Sequence, residues 1–189
     1  SMAEAKYRTP KGTNDVLPED HQYYTYIKKA VRHRCRQAGF KRIETPTFEK
    51  REIFERGIGE HTDIVEKELF LVSSHHSEEG SEEYALRPEL TASICRSYIE
   101  QGMKQLPQPV ELYSIGSCFR PQKGRYREFH QFDLEVIGLT DASLDAQIIH
   151  VANKIFADLR IRDRLTMQIN NVGTADNRKE YIAALKDFF

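Results

Sequence analysis

Phe119 to Glu135 reads F-R-P-Q-K-G-R-Y-R-E-F-H-Q-F-D-L-E. Four cations, Arg120, Lys123, Arg125 and Arg127, stand within eight residues around Gly124. Like charges in a compact loop repel unless water or an anion separates them. The proline and glycine mark a turn. The run that follows, R-E-F-H-Q-F-D-L-E-V-I-G, is aromatic and β-branched, ends at Gly138 and predicts a strand. Strand side chains alternate faces. Arg127, Phe129, Gln131, Asp133 and Glu135 therefore share one face, and His130, Phe132, Leu134 and Val136 the other, more apolar one. The first face sets a cation, an aromatic ring, an amide and two acids in order. That order suits a ligand with phosphate at one end, a flat ring in the middle and an ammonium or imidazole at the other. The bland alternative is a basic hairpin with a solvated face; the one-sided order of groups argues against it. His130, on the apolar side, is expected to be a packed core histidine.

Working outward, Val110 to Phe119 predicts the partner strand across the basic turn, and Arg127 to Leu139 spans the strand just described. Upstream, Glu89 to Glu100 fits a helix closed by Gly102, preceded by a return strand Tyr84 to Arg87 and an outgoing strand Glu68 to Val72. The polar stretch Ser73 to Glu83 reads as their hairpin loop. His75 and His76 sit in that loop without partners at ligand spacing, so no metal site is expected. Glu49 to Arg56 predicts a short helix broken by Gly57. Phe40 to Thr47 predicts a strand whose Pro46 implies an edge, a bulge or a subunit boundary. Asp20 to Gln37 carries apolar residues at helical spacing (Tyr23, Tyr26, Ile27, Ala30, Val31, Cys35) and stops at Gly39. Downstream come an amphipathic helix Ser143 to Leu159, a strand Leu165 to Asn171 and a last helix Asp176 to Phe189. Hairpins with helices segregated around an antiparallel sheet make the class α+β.

The chain of 189 residues is long enough for one domain with a real core. Its net charge of −1 excludes a whole-molecule polyanion binder, so any such contact needs a local patch. The three cysteines, Cys35, Cys95 and Cys118, are scattered and form no C-x-x-C pair, which excludes a zinc ribbon or disulfide framework and implies a reducing compartment. No apolar run reaches membrane-spanning length, so no membrane partner is expected. Ser1-Met2 reads as a cleavage scar. Phe188-Phe189 at the end implies a piece of a longer protein.

A second constellation is A-L-R-P-E-L-T-A, Ala85 to Ala92. Pro88 ends a strand and Glu89-Leu90-Thr91 opens a helix. An acid and a hydroxyl at such a turn can receive an ammonium group. An acid is also favoured in any first helical turn, which is the plain alternative.

The run P-Q-K-G-R-Y-R-E-F-H-Q, with an acid four residues past its Gln, resembles motif 2 of class II aminoacyl-tRNA synthetases, and specifically that of the histidyl-tRNA synthetase family. Glu89-Leu90-Thr91 resembles the family's Glu-Gly-Thr or Asp-Leu-Thr triplet, with Leu90 a departure. K-G-T-N-D-V-L-P (Lys11 to Pro18), G-F-K-R-I-E-T-P-T-F-E (Gly39 to Glu49) and I-G-E-H-T-D-I-V-E-K-E-L-F (Ile58 to Phe70) resemble the family's entry segment, motif 1 and a following Gly-rich bend. The resemblance implies a class II catalytic domain over 6–189, after a scar and disordered N-terminus at 1–5. It is an incomplete one, because motif 3, the histidine-specific segment and the anticodon-binding domain are not represented. It implies ATP and Mg2+ as cofactors, the ion's ligands not identifiable and no metal held by protein, with L-histidine and tRNA(His) as partners and a cytoplasmic place. It also implies a homodimer formed through the N-terminal helix and the Pro46 strand.

By residue, the resemblance implies that Arg120 grips the α-phosphate and the substrate carboxylate and that Arg125 reaches the distal phosphates, with Arg127 also among the ATP-binding residues. Phe129 stacks on adenine. Glu89, Leu90, Thr91, Arg120, Gln131 and Glu135 bind histidine, and Arg120 and Gln131 act in catalysis. The family's F-R-x-E-R-P-Q-K-G-R is shortened here, since Phe119-Arg120 runs straight into Pro121. Arg120 therefore answers either to the phosphate arginine or to the later loop arginine. The implied activity is histidine–tRNA ligation, with the piece itself expected to turn over little. The alternative is the non-catalytic paralogue, the histidine-sensing regulatory subunit of ATP phosphoribosyltransferase.

Overall fold

The computed structural model describes residues 7–58, 69–73, 82–121, 126–170 and 181–185. Its centre is the long hairpin that the alternation predicts. Strand β5 (Val110–Phe119) pairs antiparallel with β6 (Glu128–Ile137) in continuous register from Val110 opposite Ile137 to Phe119 opposite Glu128. A short strand β1 (Lys41–Arg42) joins the other edge of β5, in parallel. A second sheet is wholly antiparallel, with β4 (Tyr84–Leu86) between β2 (Phe48–Lys50) and β3 (Leu71–Val72). The architecture is α+β, with one parallel pairing inside the expected antiparallel frame.

Helices α1 (His21–Gln37), α2 (Arg51–Ile58), α3 (Thr91–Glu100) and α4 (Ala142–Asp158) surround these sheets. Helix α1 ends where Gly39 turns left-handed at φ +92, a conformation glycine adopts without Cβ strain. Asp141 caps α4 by accepting from the Ser143 N–H at 2.8 Å. Helices α1 and α4 lie together on one face of the β1-β5-β6 sheet. Val31, Cys35, Phe40, Tyr113, Val151 and Ile155 are buried there, with Ile115, Phe132, Leu134 and Val136 packed against them. Each such aliphatic or aromatic side chain contributes about 1.5–3 kcal/mol when fully withdrawn from water. The Arg34 guanidinium ties the two helices by a fork to Asp158, both contacts at 2.6 Å. Helix α3 covers the opposite face, where Leu90, Ile94, Val110, Leu112 and Cys118 form a second core. Phe54 of α2, Ala85 of β4 and Ala92 of α3 bury a third cluster that joins the second sheet to α3.

Three sequence expectations change. The strand expected over Phe40 to Thr47 splits into β1 and β2, because Pro46 has no N–H to pair and the Thr45 and Pro46 carbonyls turn to Arg87. Residues 165–170 form no strand, since no described segment pairs with them. The short helix α2 runs through Gly57 to Ile58 and does not break at the glycine; within the expected last helix, the described residues 181–185 are helical as expected. The His75–His76 loop, most of Ile58 to Phe70 and the tip of the basic turn lie outside the described residues.

Candidate functional site

The site grows from the β5–β6 register. Cross-strand partners share a face. Cys118, Gly116, Ser114 and Leu112 stand opposite Phe129, Gln131, Asp133 and Glu135 respectively, and this whole face looks toward α3. The expected grouping of Phe129, Gln131, Asp133 and Glu135 on one side is therefore present. All four are half-buried, neither sealed in core nor splayed into solvent.

At one end of the face the acids converge on the start of α3. The Thr91 hydroxyl donates to Glu135 Oε1 at 2.5 Å and lies 3.5 Å from Asp133 Oδ2. Gln131 Nε2 donates to Asp133 Oδ1 at 2.7 Å. Glu89 Oε2 and Oε1 accept from the backbone N–H groups of Thr91 and Ala92 at 2.6 and 2.9 Å, so this carboxylate caps α3. The plain reading of Glu89 as a helix-start acid thus has a geometric basis, and its remaining lone pairs stay available to a cation. The Leu90 side chain is fully buried in the second core, which leaves only its backbone for any ligand. Burial pushes the carboxyls of Asp133 and Glu135 above their ordinary values. The charge on Glu89 adds to both shifts, while the Gln131 and Thr91 hydrogen bonds oppose them. The thiol of Cys95, one turn along α3, is pushed up by burial and by the charges on Glu135 and Glu89. Glu89, Asp133 and Glu135 gather around Thr91 closely enough to raise the carboxyl values of Asp133 and Glu135, and such a cluster favours a positive group beside it.

At the other end, Arg120 closes β5 directly across from Arg127, its N–H bonding the Arg127 carbonyl at 2.9 Å. Its Nε donates to the Pro88 carbonyl at 3.0 Å, and its guanidinium lies over the Phe129 ring, 5.3 Å from the centroid. Arg127 is held by the N-terminal segment, since its N–H donates to the Gly12 carbonyl at 2.7 Å. Gly12 sits at φ +79, and a Cβ there would press on the Arg127 side chain at 2.7 Å. The structure thus brings Arg120, Arg127 and Phe129 to one end of the strand face. Arg125 lies outside the described residues.

Sequence reasoning passed over Arg87, which lies inside the quoted A-L-R-P-E-L-T-A run. It is buried, with Nε donating to Ser117 O at 2.7 Å and Nη1 to Thr45 O at 3.0 Å and Pro46 O at 3.4 Å. Its backbone accepts from Phe119 N–H and donates to Thr47 O, so one residue links both sheets beneath the site. Gly116 makes room for it: a Cβ there would overlap Arg87 Nη2. The signal available was a cation beside Pro88 at the end of an apolar strand. His130 departs from its expected place in the core. More than a third of its surface is exposed, and the ring sits edge-on to Tyr24 with centroids 4.9 Å apart; partial desolvation of the ring, with the Lys28 charge, holds its imidazole below the ordinary value.

Residues 12–177 match the family model of histidyl-tRNA synthetase. A histidine–tRNA ligase of Dehalococcoides mccartyi strain BAV1 is 43% identical over 186 residues, 97% of this chain and 43% of that protein. The Desulforamulus reducens histidine–tRNA ligase is 42% identical over 183 residues, 95% of this chain and 42% of that protein. The chain therefore spans less than half the length of these curated relatives. The apo histidyl-tRNA synthetase of S. aureus superposes with TM-score 0.65 at 33% identity, over 80% of this chain and 34% of that one. A Bacillus halodurans protein described as an ATP phosphoribosyltransferase regulatory subunit/histidyl-tRNA synthetase superposes with TM-score 0.70 at 26% identity, over 84% of this chain and 40% of that one. With a model match over most of its length, the chain belongs to the histidyl-tRNA synthetase family.

Proposed function

We propose that this chain carries the amino-acid and nucleotide face of a histidine–tRNA ligase. In the reaction, a carboxylate oxygen of histidine attacks the α-phosphorus of ATP. The bond from that phosphorus to the bridging oxygen breaks, leaving histidyl-adenylate and pyrophosphate. The acyl group then passes to the 3′ end of tRNA(His). The observation that carries this reading is the order along one strand face: Arg120 and Arg127, then Phe129, then Gln131, Asp133 and Glu135 opposite Thr91.

Each role follows from the chemistry of its group. Arg120 supplies a fixed guanidinium for the α-phosphate, where charge builds as the new bond forms. Its place at the end of β5, across from Arg127, favours the phosphate-arginine reading over the loop-arginine reading. Arg127 and Arg125 serve the distal phosphates, and Phe129 offers its ring to adenine. Glu89, Thr91, Gln131 and Glu135 hold the cationic and N–H groups of histidine, with Leu90 contributing only backbone. Positioning both reactants is the main source of rate. Bound Mg2+ would neutralise the phosphates. The residues that would meet the ion are not identifiable from the sequence, and the reading names none. The exposed Tyr23 and Ile27 of α1, with the Pro46 segment, are the proposed homodimer surface. Among the described residues no helix is long and apolar enough to cross a membrane, and a cytoplasmic place is part of the proposal.

Calorimetry with L-histidine tests the reading. The chain alone is expected to keep only residual affinity for histidine, and Glu135→Ala to weaken it by roughly tenfold or more, the worth of a charged hydrogen bond. Equal affinity of the two proteins would sink the assignment. In pyrophosphate exchange the chain alone is expected to turn over little, because it spans 43% of its relatives. A second reading, histidine sensing without catalysis, is favoured by the direct run of Arg120 into Pro121. Measurable ATP binding discriminates in favour of the ligase.

A further inference from the structure

Asp133 lies on the strand face but carries no role in the reading above. Its Oδ1 accepts from Gln131 Nε2 at 2.7 Å, and its Oδ2 stands 3.5 Å from the Thr91 hydroxyl. An ionised carboxylate only accepts hydrogen bonds, so a carboxamide beside it must offer its NH2. The Gln131 amide is thereby fixed in one of its two rotations, with Oε1 turned away from Asp133. Gln131 pairs with Gly116, whose missing side chain gives its place to the Arg87 guanidinium, so Gln131 lies beside a donor-only group on that side as well as beside Asp133. The carboxamide by itself is ambivalent, able to meet a ligand as donor or as acceptor. Next to Asp133 it is an acceptor.

We propose that Asp133 is a positioning residue that locks the Gln131 carboxamide with its oxygen toward the ligand, so that this station admits N–H-bearing groups and rejects acceptors. The inference rests on the histidine-binding reading for the identity of the ligand, but the amide lock itself does not. It also separates the two acids of the strand. Glu135, bonded to the Thr91 hydroxyl, faces the cation directly, whereas Asp133 acts through its neighbour.

Two measurements on the whole chain test this. The first needs no ligand. In nitrogen-resolved NMR, the Gln131 side-chain NH2 pair is expected to sit downfield and exchange slowly in the wild type, and to move to the free-amide position in the isosteric Asp133→Asn. A Gln131 signal that ignores the substitution overturns the lock. The second is a double-mutant cycle read by L-histidine affinity at about pH 8, where carboxylates are charged. Asp133→Asn is expected to weaken histidine roughly fivefold to tenfold, because the amide can then turn its NH2 to the ligand. In the Gln131→Glu background, where both oxygens at 131 accept in any rotation, the same change is expected to weaken binding less than twofold. Equal losses in both backgrounds would mean that Asp133 acts only by charge or folding, and the proposal falls. If the wild-type chain binds no histidine, the functional reading fails, and the NMR signal alone decides the lock.

Discussion

On one face of β6, Phe132, Leu134 and Val136 pack against a core that holds Val31, Cys35 and Ile155. On the other, Gln131, Asp133 and Glu135 carry an amide and two half-buried carboxyls toward the start of α3. Residues one step apart on the same backbone therefore sit in opposed environments. The apolar face lowers the free energy of the folded chain by removing hydrocarbon from water. The polar face raises it, because three acids are gathered where desolvation and mutual repulsion both oppose their charge. The strand holds because the first face outweighs the second. The deficit on the second is what a bound cation can relieve.

The largest expected effect lies on the apolar side. Ile155→Ala removes a fully buried side chain from the cluster that supports β6. Truncations of this kind cost about 2–5 kcal/mol. Urea unfolding should show that loss as a lower midpoint. At native conditions, the histidine affinity of the fraction still folded should be unchanged. A matching loss of affinity would mean that the two faces are not separable.

Arg87→Met comes next and tests the brace between the sheets. The substitution preserves most of the side-chain volume. It leaves the Ser117 and Thr45 carbonyls without the donor they have now. Unsatisfied buried groups cost about 1–3 kcal/mol each, and partial hydration should hold the total near 3 kcal/mol. Thermal unfolding measures the loss. Because Arg87 also crosses Gly116, opposite Gln131, a parallel drop in histidine affinity is expected here, in contrast to Ile155→Ala.

These two residues also mark how far the sequence could be read. Ile155 belongs to a helix whose 3.6-residue spacing declared its buried face. The β5–β6 hairpin was equally open, since alternation, aromatic content and the Pro-Gly turn all agreed, and the face it assigned to Gln131 and Glu135 is the face observed. Arg87 was not legible. Its partners are backbone carbonyls 30, 41 and 42 residues away, and carbonyls carry no sequence signature. The division of Phe40 to Thr47 into β1 and β2 follows from those same bonds and was hidden with them. The strand expected after Leu165 failed for a related reason, because a strand exists only through a partner, and no described segment supplies one. His130 was assigned to the core by alternation alone, which names a face but not how far a neighbouring helix covers it. Asp133 was placed on the correct face, yet its bond to Gln131 needed coordinates to be seen.

The smallest effect expected is the most direct test of the opposition between the faces. Burial raises the folded-state carboxyl values of Asp133 and Glu135 above those of the unfolded chain. Groups raised in this way contribute stability that is fully present below the unfolded carboxylate value, about 4, and lost as pH rises through the folded values. At neutral pH the wild type therefore carries a penalty that a neutral amide does not. Glu135→Gln keeps an oxygen to accept from the Thr91 hydroxyl and removes one charge from the cluster. In the absence of ligand it should raise Tm at about pH 8 by roughly 2–4 °C, equivalent to about 1 kcal/mol in a chain of this size. That gain should shrink toward zero as pH falls to about 4. Saturating L-histidine should reverse the order, because its cationic group stabilises the wild-type carboxylates and finds less to bind in the variant. A variant that is less stable than wild type without ligand, or that gains as much from histidine, would show that these acids are held for the fold and not for a cation.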